Sequence, residues 1–281
     1  MGGGVAFSDL DADGDPDLLF VNSRSWPWSG GADESATTRL YLNDGEGRFT
    51  DASEGSGLDV SLYGMGVALG DADGDGLPDV FITAVGGNRL CRNLGAGRFR
   101  DVSAESGVSG ADDGWSTSAA FLDYDRDGDL DLFVTNYVQW SRELDFEVDY
   151  RLAGIGRAYG PPANFPGTQP YPYRNDGGGR FTDVSEETGV TVSYPDTGEA
   201  VGKGLAVVVE DVDDDGWPDI LVANDTVRNF FFRNLGGRFE EQGVGRGVPS
   251  ETRSFHFNAS GSSSAVTLGS QGSVPGGLKS S

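Results

Sequence analysis

Short apolar runs recur along the chain, each flanked by glycine-rich acidic stretches. Gly4-Val5-Ala6-Phe7, Gly66-Val67-Ala68-Leu69, Ser118-Ala119-Ala120-Phe121 and Gly204-Leu205-Ala206-Val207 each precede such a stretch. Leu18-Leu19-Phe20-Val21, Val80-Phe81-Ile82-Thr83, Leu130 through Thr135 and Ile220-Leu221-Val222-Ala223 follow. Runs this short, apolar throughout and bounded by turn residues, read as strands buried on both faces. Each acidic stretch therefore joins two antiparallel strands.

Two more strands follow in every unit. Arg39-Leu40-Tyr41-Leu42-Asn43 recurs as Arg89-Leu90-Cys91-Arg92-Asn93, Tyr171-Pro172-Tyr173-Arg174-Asn175 and Phe230-Phe231-Phe232-Arg233-Asn234. A glycine turn then leads to Arg48-Phe49-Thr50-Asp51, Arg98-Phe99-Arg100-Asp101, Arg180-Phe181-Thr182-Asp183 and Arg238-Phe239-Glu240-Glu241. Asn-Asp-Gly and Asn-Leu-Gly tolerate positive φ and mark hairpin turns. The predicted fold is all-β: a β-propeller of four-stranded antiparallel blades over about residues 2–60, 61–110, 111–195 and 196–248.

The acidic stretches share one plan. They are Asp9-Leu10-Asp11-Ala12-Asp13-Gly14-Asp15-Pro16-Asp17, Asp71-Ala72-Asp73-Gly74-Asp75-Gly76-Leu77-Pro78-Asp79, Asp123-Tyr124-Asp125-Arg126-Asp127-Gly128-Asp129-Leu130-Asp131 and Asp211-Val212-Asp213-Asp214-Asp215-Gly216-Trp217-Pro218-Asp219. Asp stands at positions one, three, five and nine, with Gly at six. Crowded carboxylates raise one another's pKa unless a cation lies between them. Oxygen ligands in this number suit Ca²⁺. An EF-hand shares the opening but needs Glu at position twelve and flanking helices. Position twelve here is Phe20, Ile82, Val134 or Val222, inside a predicted strand. About four structural Ca²⁺ ions are expected, one per blade. A site saturated by its own carboxylates leaves little room for catalysis, so no catalytic residue is assigned.

Composition narrows the partners. Forty-five acids against 20 bases give a net charge of −25, which repels nucleic acid and anionic membranes. Nineteen of those acids lie in the four loops. No run approaches the ~20 apolar residues of a membrane-spanning helix, and no signal segment opens the chain. One cysteine, Cys91, excludes an internal disulfide and reads as a small strand side chain. One histidine, His256, leaves no His-based triad or His-rich metal site.

The four loops, the Arg39–Asp51 segment and the matching Tyr173–Val184 segment make the chain resemble the FG-GAP (VCBS) repeat family. More narrowly, it is similar to the cartilage acidic protein group, whose members usually carry an ASPIC/UnbV domain after the propeller. The resemblance covers about residues 2–248. It implies a Ca²⁺-stabilised propeller, usually of seven blades, secreted or on the cell surface, acting in adhesion or in binding a protein or glycan ligand. It also implies that the Asp residues at one, three, five and nine bind through side-chain oxygens. Position seven (Asp15, Leu77, Asp129, Trp217) would offer its backbone carbonyl. With four visible blades and no ASPIC/UnbV-like segment, the chain is expected to be a fragment of a larger propeller. It is then marginal alone and prone to associate through an open blade edge. The rival expectation is a part of a secreted hydrolase or lyase, or a catalytic propeller acting on polysaccharide.

Loop starts lie 62, 52 and 88 residues apart, so the third unit carries an insertion at about 139–169 with Trp140, Tyr150, Tyr159 and Phe165. It either packs over its own blade or forms a binding surface. The excursion from Ser23 to Thr38 holds Trp26 and Trp28, which suit burial on the blade or stacking on a sugar. Residues 249–281 are Ser/Gly-rich and read as disordered. Asn224-Asp225-Thr226 and Asn258-Ala259-Ser260 match the glycosylation pattern, a weak signal.

Overall fold

A computed structural model of the chain describes residues 3–26 and 37–248, with the backbone of the paired segments Phe257–Ala259 and Val266–Leu268. The expected disorder of residues 249–281 otherwise lies outside the described residues, as do His256 and Trp28.

Four antiparallel sheets of four strands follow one another. The first holds β1 (Val5–Ser8), β2 (Asp17–Phe20), β3 (Arg39–Asn43) and β4 (Phe49–Asp51). The second holds β5 (Tyr63–Gly70), β6 (Asp79–Val85), β7 (Arg89–Asn93) and β8 (Phe99–Asp101). The third is formed by β9 (Ser116–Leu122), β10 (Asp131–Asn136), β13 (Tyr171–Asn175) and β14 (Phe181–Asp183). Its insertion contributes helix α2 (Arg142–Val148) and the small hairpin β11 (Arg151–Leu152) and β12 (Gly156–Arg157). The fourth is β15 (Gly204–Glu210), β16 (Asp219–Asn224), β17 (Phe230–Asn234) and β18 (Phe239–Glu241). Each sheet is a meander with its strands in chain order, the arrangement of a propeller blade.

The first strands of successive blades lie against one another, β1 on β5, β5 on β9 and β9 on β15. Close approach there restricts side-chain size. A Cβ on Gly66 would stand 2.5 Å from the Thr117 carbonyl oxygen, so only glycine fits. Thr83 Oγ1 donates to the Thr117 carbonyl at 3.0 Å, and Thr117 Oγ1 donates to the Gly204 carbonyl at 2.7 Å. These bonds tie blades two, three and four together at the inner strands.

Between blades, alternate residues from two sheets form the core. One face of each sheet meets the preceding blade and is termed leading; the other meets the following blade and is termed trailing. Leu10, Leu19, Leu40 and Leu58 on the trailing face of blade one pack against Val80, Ile82, Cys91 and Phe99 on the leading face of blade two. Phe81, Leu90, Val102 and Val108 meet Leu132, Val134, Tyr173 and Phe181 in the next interface. Tyr124, Phe133, Val184 and Val190 meet Ile220, Val222, Phe232 and Phe239 in the third. Because both faces of a strand are used, the runs are apolar throughout rather than alternating. Leu19, Phe81, Phe133 and Ile220 are essentially fully buried, and each contributes about 1.5–3 kcal/mol to burial.

Two single-turn helices, α1 (Ser103–Ser106) and α3 (Ser185–Thr188), follow the last strands of blades two and three. Each ends at a glycine in the left-handed region, Gly107 (φ 84°) and Gly189 (φ 81°). The periodicity of the chain does not announce them, since one turn is too short to show a helical repeat.

Candidate functional site

The four acidic loops all lie at one end of their blades, between the first and second strands. Their backbones are held by their own carboxylates. The position-one carboxylates accept backbone N–H groups from positions five and six: Asp9 from Asp13 (3.1 Å) and Gly14 (2.9 Å), and Asp71 from Asp75 (3.0 Å) and Gly76 (2.8 Å). Asp123 accepts from Asp127 (3.1 Å) and Gly128 (3.2 Å), and Asp211 from Asp215 (3.1 Å) and Gly216 (2.7 Å). Position five accepts from position seven at 2.9 Å in every loop: Asp13 from Asp15, Asp75 from Leu77, Asp127 from Asp129 and Asp215 from Trp217. Position six is a positive-φ glycine, at 98°, 90°, 96° and 87°.

Position four is also left-handed, and only Gly74 is a glycine there. Ala12 (φ 67°), Arg126 (φ 63°) and Asp214 (φ 56°) adopt a backbone that L-residues enter at a cost of about 1–2 kcal/mol. Reading the sequence missed this position, because nothing in three dissimilar residues signals it.

Asp9, Asp11 and Asp13 bring carboxylate oxygens within 4.8 Å of one another, as do Asp123, Asp125 and Asp127, and Asp211, Asp213 and Asp215. In the second loop the gathered trio is Asp71, Asp73 and Asp79. Oxygen-only donors in clusters of this size fit a hard cation such as Ca²⁺. Among the position-three residues, Asp73 is paired with Arg92 (2.8 Å), and Asp213 with Arg233 (2.7 Å). The second and fourth loops thus already hold a guanidinium beside the cluster.

Position nine has a second role. Asp17, Asp79, Asp131 and Asp219 are buried and begin the second strand of each blade. One oxygen accepts the N–H of position two: Leu10 (2.8 Å), Ala72 (3.0 Å), Tyr124 (3.0 Å) and Val212 (3.3 Å). The other accepts the N–H of the third-strand asparagine: Asn43 (2.9 Å), Asn93 (2.7 Å), Asn175 (2.8 Å) and Asn234 (2.8 Å). Burial pushes the Asp79 carboxyl up to about 6 and Asp131 to about 7, against the lowering effect of these donors. Burial likewise raises Asp11, Asp125 and Asp219, with neighbouring carboxylates adding to it.

The third-strand asparagines also reach across blades. Asn93 Nδ2 donates to the Leu10 carbonyl (3.1 Å), Asn175 Nδ2 to Ala72 (2.8 Å) and Asn234 Nδ2 to Tyr124 (2.8 Å). Each therefore pins the preceding loop at position two.

At the opposite end of the strands the unrepeated segments converge. Trp26, from the excursion after β2, lies between Tyr63 at the start of β5 (centroids 4.4 Å apart) and Trp140 from the insertion (4.8 Å). Trp115, just before β9, meets Trp26 and Trp140 edge-on at 6.2 Å and 6.0 Å. These rings, with Tyr159, wall a cleft of about 340 Å³. A neighbouring hollow of about 500 Å³ is edged by Asn136, Gln139 and Gln169. Trp115 Nε1 is buried there without a hydrogen-bond partner.

The insertion is ordered by its own chemistry. Ser141 caps α2, its hydroxyl accepting from the Leu144 N–H at 3.1 Å. Arg157 binds Asp145 (2.7 Å) and lies 4.0 Å over the Phe146 ring. Lys203, buried and lowered in pKa by that burial, donates to the Pro162 carbonyl at 2.6 Å, fastening the insertion to blade four. The insertion packs over its blades and also builds one wall of the cleft.

Two minor expectations are settled by position. Cys91 is buried between blades one and two, where burial pushes its thiol up to about 12, so it is inert. Asn224 is buried, accepts from the Lys203 N–H (2.8 Å) and donates to the Arg228 carbonyl (2.8 Å), so its side chain is unavailable to a glycan. Asn258 lies outside the residues whose side chains are described.

The loop geometry agrees with comparison against known families. An FG-GAP-like repeat model matches residues 9–82 and 72–134. Residues 9–134 are FG-GAP-like repeats. Blades three and four repeat their loop plan and strand order. Cartilage acidic protein 1 of Homo sapiens is 27% identical over 198 residues, covering 68% of this chain and 25% of that protein. Its Xenopus tropicalis counterpart is 28% identical over 196 residues, with the same coverage. The chain thus spans about a quarter of the length of these relatives. A solved structure of a lectin from Agrocybe aegerita, described for recognition of non-reducing terminal N-acetylglucosamine, aligns with a TM-score of 0.42 at 16% identity. That alignment covers 83% of this chain and 49% of the lectin chain.

Proposed function

We propose that this chain is a Ca²⁺-stabilised, non-catalytic ligand-binding propeller segment that acts outside the cell. The carrying observation is the fourfold recurrence of one loop plan with the same position-one and position-five backbone hydrogen bonds. Each loop gathers three carboxylates, those at one, three and five in three loops and at one, three and nine in the second. Positions one, three and five would hold the ion, joined by position nine, whose oxygens already organise the blade. Bound Ca²⁺ would supply charge neutralisation to an end of the molecule dense in carboxylates. The extracellular assignment leans on the similarity to cartilage acidic protein 1.

The ligand site in this reading is the aromatic cleft at the other end. Its volume is within the range of small-ligand pockets. Flat rings, with amides edging the neighbouring hollow, suit a sugar ring or an aromatic peptide side chain. Asp145, the carboxylate beside it, is held in an ion pair with Arg157 at 2.7 Å. Calorimetric unfolding in Ca²⁺ and in EDTA tests the metal, and a glycan and peptide array read with Trp140→Ala as control tests the cleft. An unchanged melting temperature would sink the metal assignment, and turnover of any arrayed glycan would sink the non-catalytic one.

A further inference from the structure

The aromatic cleft does not stand alone. Trp115, Val138 and Trp140 line both it and the neighbouring hollow, so the two spaces share one wall. At about 340 Å³ and 500 Å³, each falls within the ~300–1,000 Å³ range of small-ligand sites. Side by side they offer more room than a single sugar ring or side chain fills. Their chemistry differs. Trp26, Tyr63, Tyr159 and Phe165 add rings to the cleft, and Tyr159 is 80% exposed.

The hollow is polar, and its polar groups divide into two sets. Asn136 and Gln169 are spent on the chain itself. Asn136 Nδ2 donates to the Gln169 carbonyl (2.8 Å), while Gln169 donates from Nε2 to the Val192 carbonyl (3.1 Å) and accepts at Oε1 from the Val192 N–H (3.0 Å). The second set is open. Gln139 donates from Nε2 to the Gly167 carbonyl at 3.2 Å, which leaves Oε1 without a donor. Trp115 Nε1 is a buried donor with no acceptor among the described residues. The carboxylate of Asp113, an exposed residue before β9, also lines the hollow with no hydrogen-bond donor among the described residues. A buried donor left unpaired is costly, so a ligand that brings it an acceptor gains by doing so. A hydroxyl both donates and accepts, so one sugar ring can serve the Trp115 N–H and the oxygens of Gln139 and Asp113 together. A tyrosine or tryptophan side chain in the cleft would leave all three unpaired.

Charge narrows the ligand further. Among the described residues, no Lys, Arg or His lines either space, while Asp113 lines the hollow and Asp145 the cleft. Arg157 and Lys203 bond to the wall residues Asp145 and Pro162 without lining the space themselves. On a chain of net charge −25, a ligand bearing carboxylates or sulfates meets repulsion with no lining cation to offset it. On the premise that the cleft is the ligand site, we propose that cleft and hollow together bind a neutral oligosaccharide of at least two units. One ring stacks among the aromatic side chains. The next is held by Trp115 Nε1, Gln139 Oε1 and the Asp113 carboxylate. Acidic sugars are selected against.

An array probed with the full chain in Ca²⁺ tests this, carrying single neutral sugars, neutral oligosaccharides, their uronate- and sulfate-bearing counterparts, and peptides containing tyrosine and tryptophan. Calorimetric titration then ranks the ligands that bind. Neutral chains of two or more units should bind at least tenfold more tightly than the single sugar, and at least tenfold more tightly than acidic chains of the same length. Gln139→Ala and Asp113→Lys alter exposed residues, so each should keep its circular dichroism spectrum. The first should bring the longer chains down toward the single sugar, and the second should raise the affinity for acidic chains. Equal affinity for single sugars and longer chains, tight binding of acidic chains by the unaltered protein, no change in either variant, or binding of peptides alone would overturn the oligosaccharide assignment while leaving the cleft a ligand site. Failure to bind any sugar or peptide would overturn both.

Discussion

The two ends of the blades are made in opposite ways. At the loop end, four copies of one nine-residue plan sit at equivalent places, each held by its own carboxylates. At the cleft end, Trp26, Tyr63, Trp115 and Trp140 come from four unlike stretches and meet only in three dimensions. Repetition builds the frame, since the same backbone solution serves every blade. Departure from repetition builds, among the described residues, a cleft whose walls are unlike their neighbours. The proposed roles of the two ends, stability at the loops and recognition at the cleft, are therefore separable by experiment.

The largest expected effect is removal of Ca²⁺. A site at 100 times its dissociation constant stabilises by about 2.7 kcal/mol, so four sites amount to roughly 10 kcal/mol. At about 2–4 °C per kcal/mol for a chain of this size, EDTA should lower the melting temperature by tens of degrees, read by scanning calorimetry. A truncation in the cleft, Trp140→Ala, should leave that Ca²⁺-dependent difference unchanged.

Next in size is a contrast within one loop. Asp131→Ala removes a buried acceptor and leaves the Tyr124 and Asn175 N–H groups unpaired. At about 1–3 kcal/mol for each orphaned group, it should destabilise by roughly 2–6 kcal/mol even in EDTA. Asp125→Ala should cost under about 1 kcal/mol in EDTA, and its larger effect should emerge only when Ca²⁺ is added. Equal losses for both variants in EDTA would erase the distinction between a blade-organising and an ion-facing carboxylate.

A smaller effect concerns pH. The Asp131 and Asp79 carboxyls titrate near 7 and 6 in the metal-free chain, above their ordinary range. A raised folded-state pKa means that folding favours the protonated form. This stabilisation is complete below the ordinary carboxylate range and is lost as pH rises through 6 and 7. In EDTA the melting temperature should therefore fall between pH 5 and 8. With Ca²⁺ competing against those protons, affinity should rise over the same interval. Parallel slopes with and without Ca²⁺ would break the link between these carboxyls and the ion.

The smallest effect is expected for Ala12→Gly. Relief of a left-handed backbone, about 1–2 kcal/mol, is offset by the extra freedom of unfolded glycine, about 0.5–1 kcal/mol. A gain of no more than about 1 kcal/mol should appear in urea unfolding, with no counterpart for Trp26→Ala at the other end.

What could be read from the sequence follows the same division. The strand order and the grouping of carboxylates were legible because four copies at fixed spacing leave little room for accident. The second role of position nine was not, because a ligand and a backbone acceptor are the same residue type. Asn93, Asn175 and Asn234 stood out only as turn residues at strand ends; their reach to the preceding loop depends on how blades stack. Helix α2 did leave a local trace, Ser141 followed by Glu143 and Asp145 in its first turn. The cleft left a partial trace in Trp26 and in the insertion with Trp140 and Tyr159; that these meet each other and Tyr63 and Trp115 left none, since residues 26, 63, 115 and 140 share neither spacing nor context.

The asparagine bonds have a consequence for the molecule as a mechanical object. Asp17 holds the Leu10 N–H, the Leu10 carbonyl holds Asn93, and the Asn93 N–H is held by Asp79. The same three links run from Asp79 through Ala72 and Asn175 to Asp131, and from there through Tyr124 and Asn234 to Asp219. This is an unbroken belt of polar contacts that crosses all four blades and threads every acidic loop. A load on one loop therefore has a direct polar route to the next, along hydrogen bonds rather than through the apolar cores between blades.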